Sequence, residues 1–338
     1  MLVQPKVWMS GAEGPGVFPR LRLSAAHDEW NHVGFALAAM ERGFLAEEGF
    51  SDVELITFPG AGEELLEREA QQVDLLAGGL VDIAIDPRTS FLLEARDQGR
   101  PVCIVAARRR DHTFVLVGQK GLSSLEDLRG KAVSMGPRGG ATDVMLRQVL
   151  KDNGLEPDDD VVFEYVGGEM HDSVRVTREF IAGRYGPVKM VGTTALPWWV
   201  ENGYPVLADL RTIYPSRHDR VTAANANFAQ RQPEALQSFL RGLIRASRWV
   251  LDPSNAAEFK QIILDVGFLD DERQRDGFDH LFAGWQERGS RDLELPQDGI
   301  GLIIDEQKRG GAIAPSFGSS DILRLDALHR AQRELDAV

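Results

Sequence analysis

Cysteine, long apolar runs and positive charge are all scarce in this sequence. Its one thiol, Cys103, excludes an internal disulfide and any cluster of thiolate metal ligands. The apolar run PVCIVAA around it marks a buried structural thiol rather than a nucleophile. No window of about 18 apolar residues occurs, which excludes a helical membrane span. Lys and Arg number 38 against 52 Asp and Glu, a formal net charge of −14. Nucleic acid and anionic membranes require a basic field that displaces counterions, so neither is an expected partner. Residues 1–20 carry no basic segment followed by an apolar one, so no signal peptide is expected. As it stands the sequence points to the cytoplasm, or to the periplasm if a leader is removed from the native product.

What is present suits two cores. The chain has 338 residues, 43% hydrophobic and 27% charged, ordinary for a globular protein and too long for one compact interior. Residues 1–20, rich in glycine and proline, read as an irregular lead-in. RLRLSAA then alternates as a strand, and HVGFALAAMERGFLAEEGF has helical apolar spacing up to Gly49. VELITF, VDIAID and PVCIVAA read as further strands, separated by the helices EELLEREAQQVDLLAGG and SFLLEARDQG. A second series follows: HTFVLVGQ, SSLEDLRG, KAVSMG, ATDVMLRQVLKDNG ending at Gly154, VVFEYVG, SVRVTREFIAG and PVKMVGTT. From about residue 230 the chain is dominantly helical. The expected class is α/β, with mixed, largely parallel sheets flanked by helices and a helical C-terminal region. Ligands of such sheets lie beyond the carboxyl ends of the strands.

Several strand-to-helix loops carry chemistry. AHDEWNH at 26–32 has histidines five apart, not the i, i+4 spacing that shares a helix face, so no metal is expected. Trp30 is expected as a flat apolar wall and His32 as a hydrogen-bonding group, while Asp28 or Asn31 either caps the helix or touches a ligand. PGAG at 59–62 either exposes backbone N–H groups to an anion, with Gly60 central, or is only a tight turn. In IDPRTS, Arg88 and Thr89 close a strand, and Arg88 either pairs bidentately with an oxoanion or is a solvated surface arginine.

MGPRGGATD at 135–143 is the strongest local signal, because a glycine-rich turn opening a helix favours an anionic head group. Arg138, Gly139, Gly140 and Thr142 are its candidate ligand contacts. It matches neither a Walker motif nor a dinucleotide fingerprint, and no cofactor is expected. GGEMHDS brings Glu169 and His171, where His171 with Asp172 forms an acid/base pair or Asp172 and Ser173 simply cap a helix. GTTALPWW offers the hydroxyls of Thr193 and Thr194, with Trp198 or Trp199 stacking on a planar ligand and the other in the core. RRRDH at 108–112 concentrates positive potential, though a solvated run is the default.

Three segments carry a resemblance: GGLVDIAID, the long RPVCIVAARRRDHTFVLVGQKGLSSLEDLRGKAVSMGPRGGATDVMLRQVLKDNGLEPDD, and FIAGRYGPVKMVGTTALPWWVENGYPVLADL. Over roughly residues 20–250 the chain resembles the solute-binding proteins of ABC importers for sulfonates, taurine, nitrate and thiamine pyrimidine precursors. The resemblance implies a two-lobed type II periplasmic-binding-protein-like fold that closes around a ligand. Lobe one would be residues 1–112 and 210–338, lobe two residues 113–209, with crossings near Asp111-His112-Thr113 and Ala208-Asp209-Leu210. It also implies a ligand-contacting residue near Arg88 and a cleft position for GTTALPWW.

The resulting expectation is a protein that binds a small anionic or aromatic organic ligand, such as a sulfonate, carboxylate or pyrimidine, with an ABC permease as partner if exported. The alternative is a cytoplasmic enzyme on the same fold, a decarboxylase, desulfinase-like lyase, isomerase or hydrolase using His27, His32 or His171. Aromatic sulfinate desulfinases and fungal pyrimidine synthases resemble the same binding proteins. The former use a cysteine near the end of the first strand and the latter a cysteine-rich motif, and this chain has neither.

Overall fold

The computed structural model describes residues 6–10, 16–27, 30–58, 65–109, 114–135, 138, 141–165, 179–192, 196–214, 217–267, 278, 282–286 and 288–337. The chain divides into two compact units, the first made of residues 1–60, 68–110 and 216–338, the second of 61–67 and 111–215.

The first unit is built on a six-stranded sheet ordered β1-β3-β2-β4-β11-β5. Its strands are β1 (Lys6–Met9), β2 (Leu21–Ala25), β3 (Val53–Thr57), β4 (Ile83–Arg88), β5 (Val102–Ala106) and β11 (Arg220–Asn225). Parallel pairing holds β2 to β3 from Leu21↔Val53 to Ala25↔Thr57, and β2 to β4 at Leu23↔Ile83. β1 and β11 run antiparallel to their neighbours. Two expectations change here. The lead-in is not wholly irregular, since Lys6–Met9 adds an edge strand with Lys6 opposite Thr57. RVTAAN, unassigned in the sequence, is β11, inserted between β4 and β5; its small residues Ala223 and Ala224 are fully buried.

Helices cover both faces, as the near-continuous burial of β4 and β5 demands. α1 (Trp30–Glu41) buries Trp30, Val33 and every residue from Gly34 to Met40, so it is a core helix with no polar stripe. The single long helix expected through Gly49 is interrupted: Gly43 takes φ 74° and α2 (Phe44–Glu47) follows. The helix Pro233–Val250 begins on a proline whose missing N–H costs nothing there, and buries Leu236, Phe239, Leu240, Leu243 and Ile244 at helical spacing. Cys103 is buried on β5 with its thiol directed to the Ala224 carbonyl at 3.5 Å, the structural role expected of it, and burial pushes its pKa up to about 11.

α1 meets an aromatic cluster of Phe259, Phe278 and Trp285 through Trp30, with Gly34 closest to Phe259 and Trp285. A Cβ on Gly34 would stand 2.9 Å from both the Phe259 and Trp285 rings. Gly34→Val is therefore expected to destabilise the protein by about 1–3 kcal/mol through overpacking, read as a lower urea midpoint at unchanged slope.

The second unit carries a three-stranded antiparallel sheet, β10-β6-β9, and a parallel pair, β7-β8. These are β6 (Phe114–Gly118), β7 (Ala132–Met135), β8 (Val162–Tyr165), β9 (Val188–Gly192) and β10 (Val206–Asp209). α5 (Ala141–Asp152) buries Met145, Leu146, Val149 and Leu150 against Val133 and Val188, and Gly154 at φ 75° terminates it. SSLEDLRG forms a 3-10 turn, Leu125–Leu128, capped by Ser124 and Asp127. No helix among the described residues is long and apolar enough to cross a membrane.

Candidate functional site

The carboxyl edge of the first unit's sheet gathers ionisable side chains from six different segments of the chain. α3 (Leu65–Ala77) contributes through its phase: Arg68, Glu69, Gln72, Val73 and Leu76 are buried along one stripe, so charged groups occupy positions an ordinary amphipathic helix gives to apolar ones. Gln72 Nε2 donates to the carbonyls of Ser24 and Ile85, each at 2.9 Å, fixing the helix against the ends of β2 and β4.

Glu69, 0% exposed, is the first hub. It accepts from Arg88 Nε at 2.5 Å, from His27 Nε2 at 3.3 Å and from Arg220 Nη2. Asp86 is the second: Arg108 donates to it bidentately through Nε at 3.2 Å and Nη2 at 2.9 Å, and His32 Nδ1 lies 2.6 Å away. Arg220 Nη1 joins the hubs by donating to the Asp86 carbonyl at 3.0 Å, and Arg108 Nη1 reaches the Asn31 carbonyl at 2.6 Å. The imidazoles of His27 and His32 stack at 3.9 Å, 9° from parallel.

Local backbone chemistry places Asp86. Between Thr222↔Ile85 and Arg220↔Arg88, β4 has one residue more than β11 opposite it, a bulge at Asp86-Pro87. Pro87 has no N–H to lose from the ladder, and Asp86 sits in the left-handed region at φ 57°. For a non-glycine residue that conformation costs on the order of 1–2 kcal/mol, offset here by three charge-assisted contacts to its carboxylate.

The electrostatics follow from these contacts. Burial alone would raise Glu69, but Arg220, His27 and Arg88 outweigh it and hold the carboxyl far below its usual range. Burial likewise opposes the ionised form of Asp86, and Arg108 with His32 and Arg220 overcomes it. Both carboxylates are therefore acceptors only, which assigns the protons: Nδ1–H on His32 and Nε2–H on His27. Burial and the Arg220 charge push His27 down to about 4, while burial and His27 push His32 well below its ordinary value. Neutral stacked rings thus stand between two anions and the three cations Arg88, Arg108 and Arg220.

Of the residues expected from sequence, His27, His32 and Arg88 come together here, with Asn31 contributing its carbonyl. Arg88 is buried, not a solvated surface arginine. Arg108 also departs from the solvated default: it is buried, and its guanidinium lies 5.0 Å from the Trp285 ring centre. Trp30, expected as an open ligand wall, is 3% exposed and enclosed by Phe278 at 4.6 Å and Trp285 at 5.2 Å. Its indole joins the aromatic core against which α1 packs. Thr89 is buried and donates its hydroxyl to the His218 carbonyl at 2.6 Å, a structural bond.

In the second unit Arg138 is 72% exposed on its side chain with Asp158 at 3.8 Å, and Thr142 is half-buried in the first turn of α5. Trp199 is core, as expected of one tryptophan of the pair, and Trp198 is 46% exposed beside Tyr204 at 6.3 Å. Asp28, Gly60, Gly139, Gly140, Glu169, His171, Asp172, Ser173, Thr193 and Thr194 lie outside the described residues. Glu69, Asp86 and Arg220 had not been singled out in the sequence. For Glu69 a signal existed, its helical phase with Val73 and Leu76.

A mixed α/β chain of two units with its ionic site on the sheet's carboxyl edge has the fold of solute-binding proteins. The periplasmic aliphatic sulphonate binding protein SsuA of Escherichia coli aligns with a TM-score of 0.64 at 14% identity, covering 91% of this chain and 92% of that one. The periplasmic nitrate-binding protein NrtA of Synechocystis PCC 6803 aligns at 0.63 and 16% identity, covering 94% and 89%. In sequence the chain is 22% identical to the nitrate/nitrite binding protein NrtA of Nostoc sp. strain PCC 7120, over 83% of this chain and 72% of that protein. Residues 29–256 match the NMT1/THI5-like family, and the chain belongs to it.

Proposed function

We propose that this protein is the ligand-binding component of an ABC importer and that it holds a small monoanionic oxoanion, of sulfonate, nitrate or carboxylate type, at the carboxyl edge of the first unit's sheet. One observation carries the reading. Three arginines face two carboxylates in the largely buried network of Glu69, Asp86, Arg88, Arg108 and Arg220, while both histidines are held neutral. Within this set the guanidinium groups outnumber the carboxylates by one, a donor set suited to an anionic head group. A bound monoanion adds a matching charge there, and nitrate and sulfonates, after which the similar proteins are named, carry a single negative charge. In this role the partner is an ABC permease and the protein works on the outer side of the cytoplasmic membrane.

The test is a thermal-shift screen against nitrate, alkanesulfonates, aromatic carboxylates, pyrimidines and phosphonates, with mass spectrometry after overnight incubation. A monoanion at about 100 times its dissociation constant is expected to stabilise the native state by about 2.7 kcal/mol and to be recovered unchanged. Arg220→Gln, removing the most exposed of the three arginines, is expected to weaken that anion about tenfold or more. A screen in which only neutral compounds stabilise the protein sinks the proposal.

A second reading rests on the His32–Asp86 pair at 2.6 Å, a histidine–carboxylate pairing of the kind used in acid/base chemistry by lyases and hydrolases. Consumption of a stabilising compound, lost in His32→Gln, would establish it.

A further inference from the structure

A second feature of the first unit lies at the opposite, amino edge of its sheet and belongs to no part of the network just described. It is a cavity of about 650 Å³ bounded by the end of α4 (Thr89–Asp97), the start of β5, the segment after β11 and the starts of the helices Pro233–Val250 and Asp326–Asp336. That volume is within the range of small-molecule sites. Its floor is apolar, with Cys103, Pro101 and Leu236, and its rim carries Arg96, Arg324 and Arg330 against one carboxylate, Asp326.

The three guanidinium groups are anchored through hydrogen bonds to uncharged acceptors, with the carboxylates of Asp326 and Glu334 near Arg330. Arg96 Nε donates to the Asp321 carbonyl at 2.8 Å, Arg324 Nη1 to the carbonyls of Ser320 and Leu323 at 2.8 and 2.6 Å, and Arg330 Nε to Gln237 Oε1 at 2.9 Å. None of these acceptors is charged, and each arginine retains further N–H donors. Burial raises the Cys103 pKa while Arg324 and Arg96 act against the rise. The lining therefore has a surplus of two positive charges on a rim above an apolar base, in a chain whose net charge is −14.

The geometry points to a second ligand site, on the amino edge of the sheet, for a small organic dianion that places its acidic groups on Arg96, Arg324 and Arg330 and its carbon body over Cys103 and Leu236. Dicarboxylates and phosphate monoesters share that chemistry. The site is independent of the carboxyl-edge network and of the ligand proposed there.

The test is calorimetric titration of the full chain with succinate and with glycerol 3-phosphate, repeated on the double variant Arg324→Ala/Arg330→Ala. Both arginines are exposed, so the variant is expected to keep its circular dichroism and unfolding midpoint. The expected result is saturable one-site binding of at least one probe, weakened about tenfold or more in the variant. Which probe binds separates a carboxylate site from a phosphate site. Failure of both probes, or equal affinities in the two proteins, overturns the proposal.

Discussion

Glu69→Gln is expected to lower the unfolding free energy by about 3–5 kcal/mol, one of the largest single-residue effects outside the aromatic core. The substitution preserves shape and removes one charge. It leaves Arg88 buried with no anion on its Nε, and it turns an acceptor of three donors into a group whose amide hydrogens face other hydrogens. Urea unfolding at pH 7.5 measures it. The exposed Arg42–Glu258 pair serves as the control, because its loss is expected to cost less than about 1 kcal/mol. A Glu69→Gln value that small would mean the network is solvated and not a buried ionic site.

Acid is expected to destabilise the protein well before its carboxylates titrate. His27 has a folded-state pKa of about 4, whereas in the unfolded chain it titrates near 6.5. Between those values the unfolded state binds more protons, so stability falls as pH falls, by about 1.4 kcal/mol per pH unit for His27 alone. His32 is depressed in the same sense and adds to the slope. Well above pH 7 the histidine gradient fades, because the unfolded chain no longer binds their protons. Below about pH 4 Glu69 and Asp86, both held below the ordinary carboxylate range, extend the loss. Urea midpoints at pH 7.5, 6 and 5 test this, with His27→Gln expected to remove one histidine's share of the slope. A flat profile between pH 6.5 and 5 would show that the imidazoles are not kept neutral.

How far the site could be read from sequence depended on whether each residue's role is local. His27 and Arg88 stand where strands end and His32 in the first turn of the helix that follows β2, and strand ends are visible as breaks in an apolar run, so these positions could be named without a structure. Asp86 lay inside a quoted motif and was passed over, because its importance comes from a bulge that only the opposing strand reveals. Arg108 sat in a run of three arginines, where composition suggests solvent. Its burial comes from the Asp86 hub and the Trp285 ring, 22 and 177 residues away in sequence. Arg220 begins a strand with weak local signal, since RVTAAN has too many small residues to announce itself. The alternating strands and helices were legible because they are written in apolar spacing. The position of β11 was not, because strand order is a tertiary fact.

That position of β11 bears on how the chain is made. Among the described strands β5 pairs with β11 alone, apart from a single bridge between Ile104 and Leu323. β5 ends at Ala106 and β11 at Asn225, so a ribosome must add about 120 residues before the partner exists, roughly 6–24 s at ordinary elongation rates. Throughout that interval VCIVA, a fully buried segment of high β-propensity and no charge, has an open hydrogen-bonding edge in the nascent chain. The translation speed of the intervening segment, which codes the second unit, therefore sets how long this edge is available to chaperones or to other nascent chains.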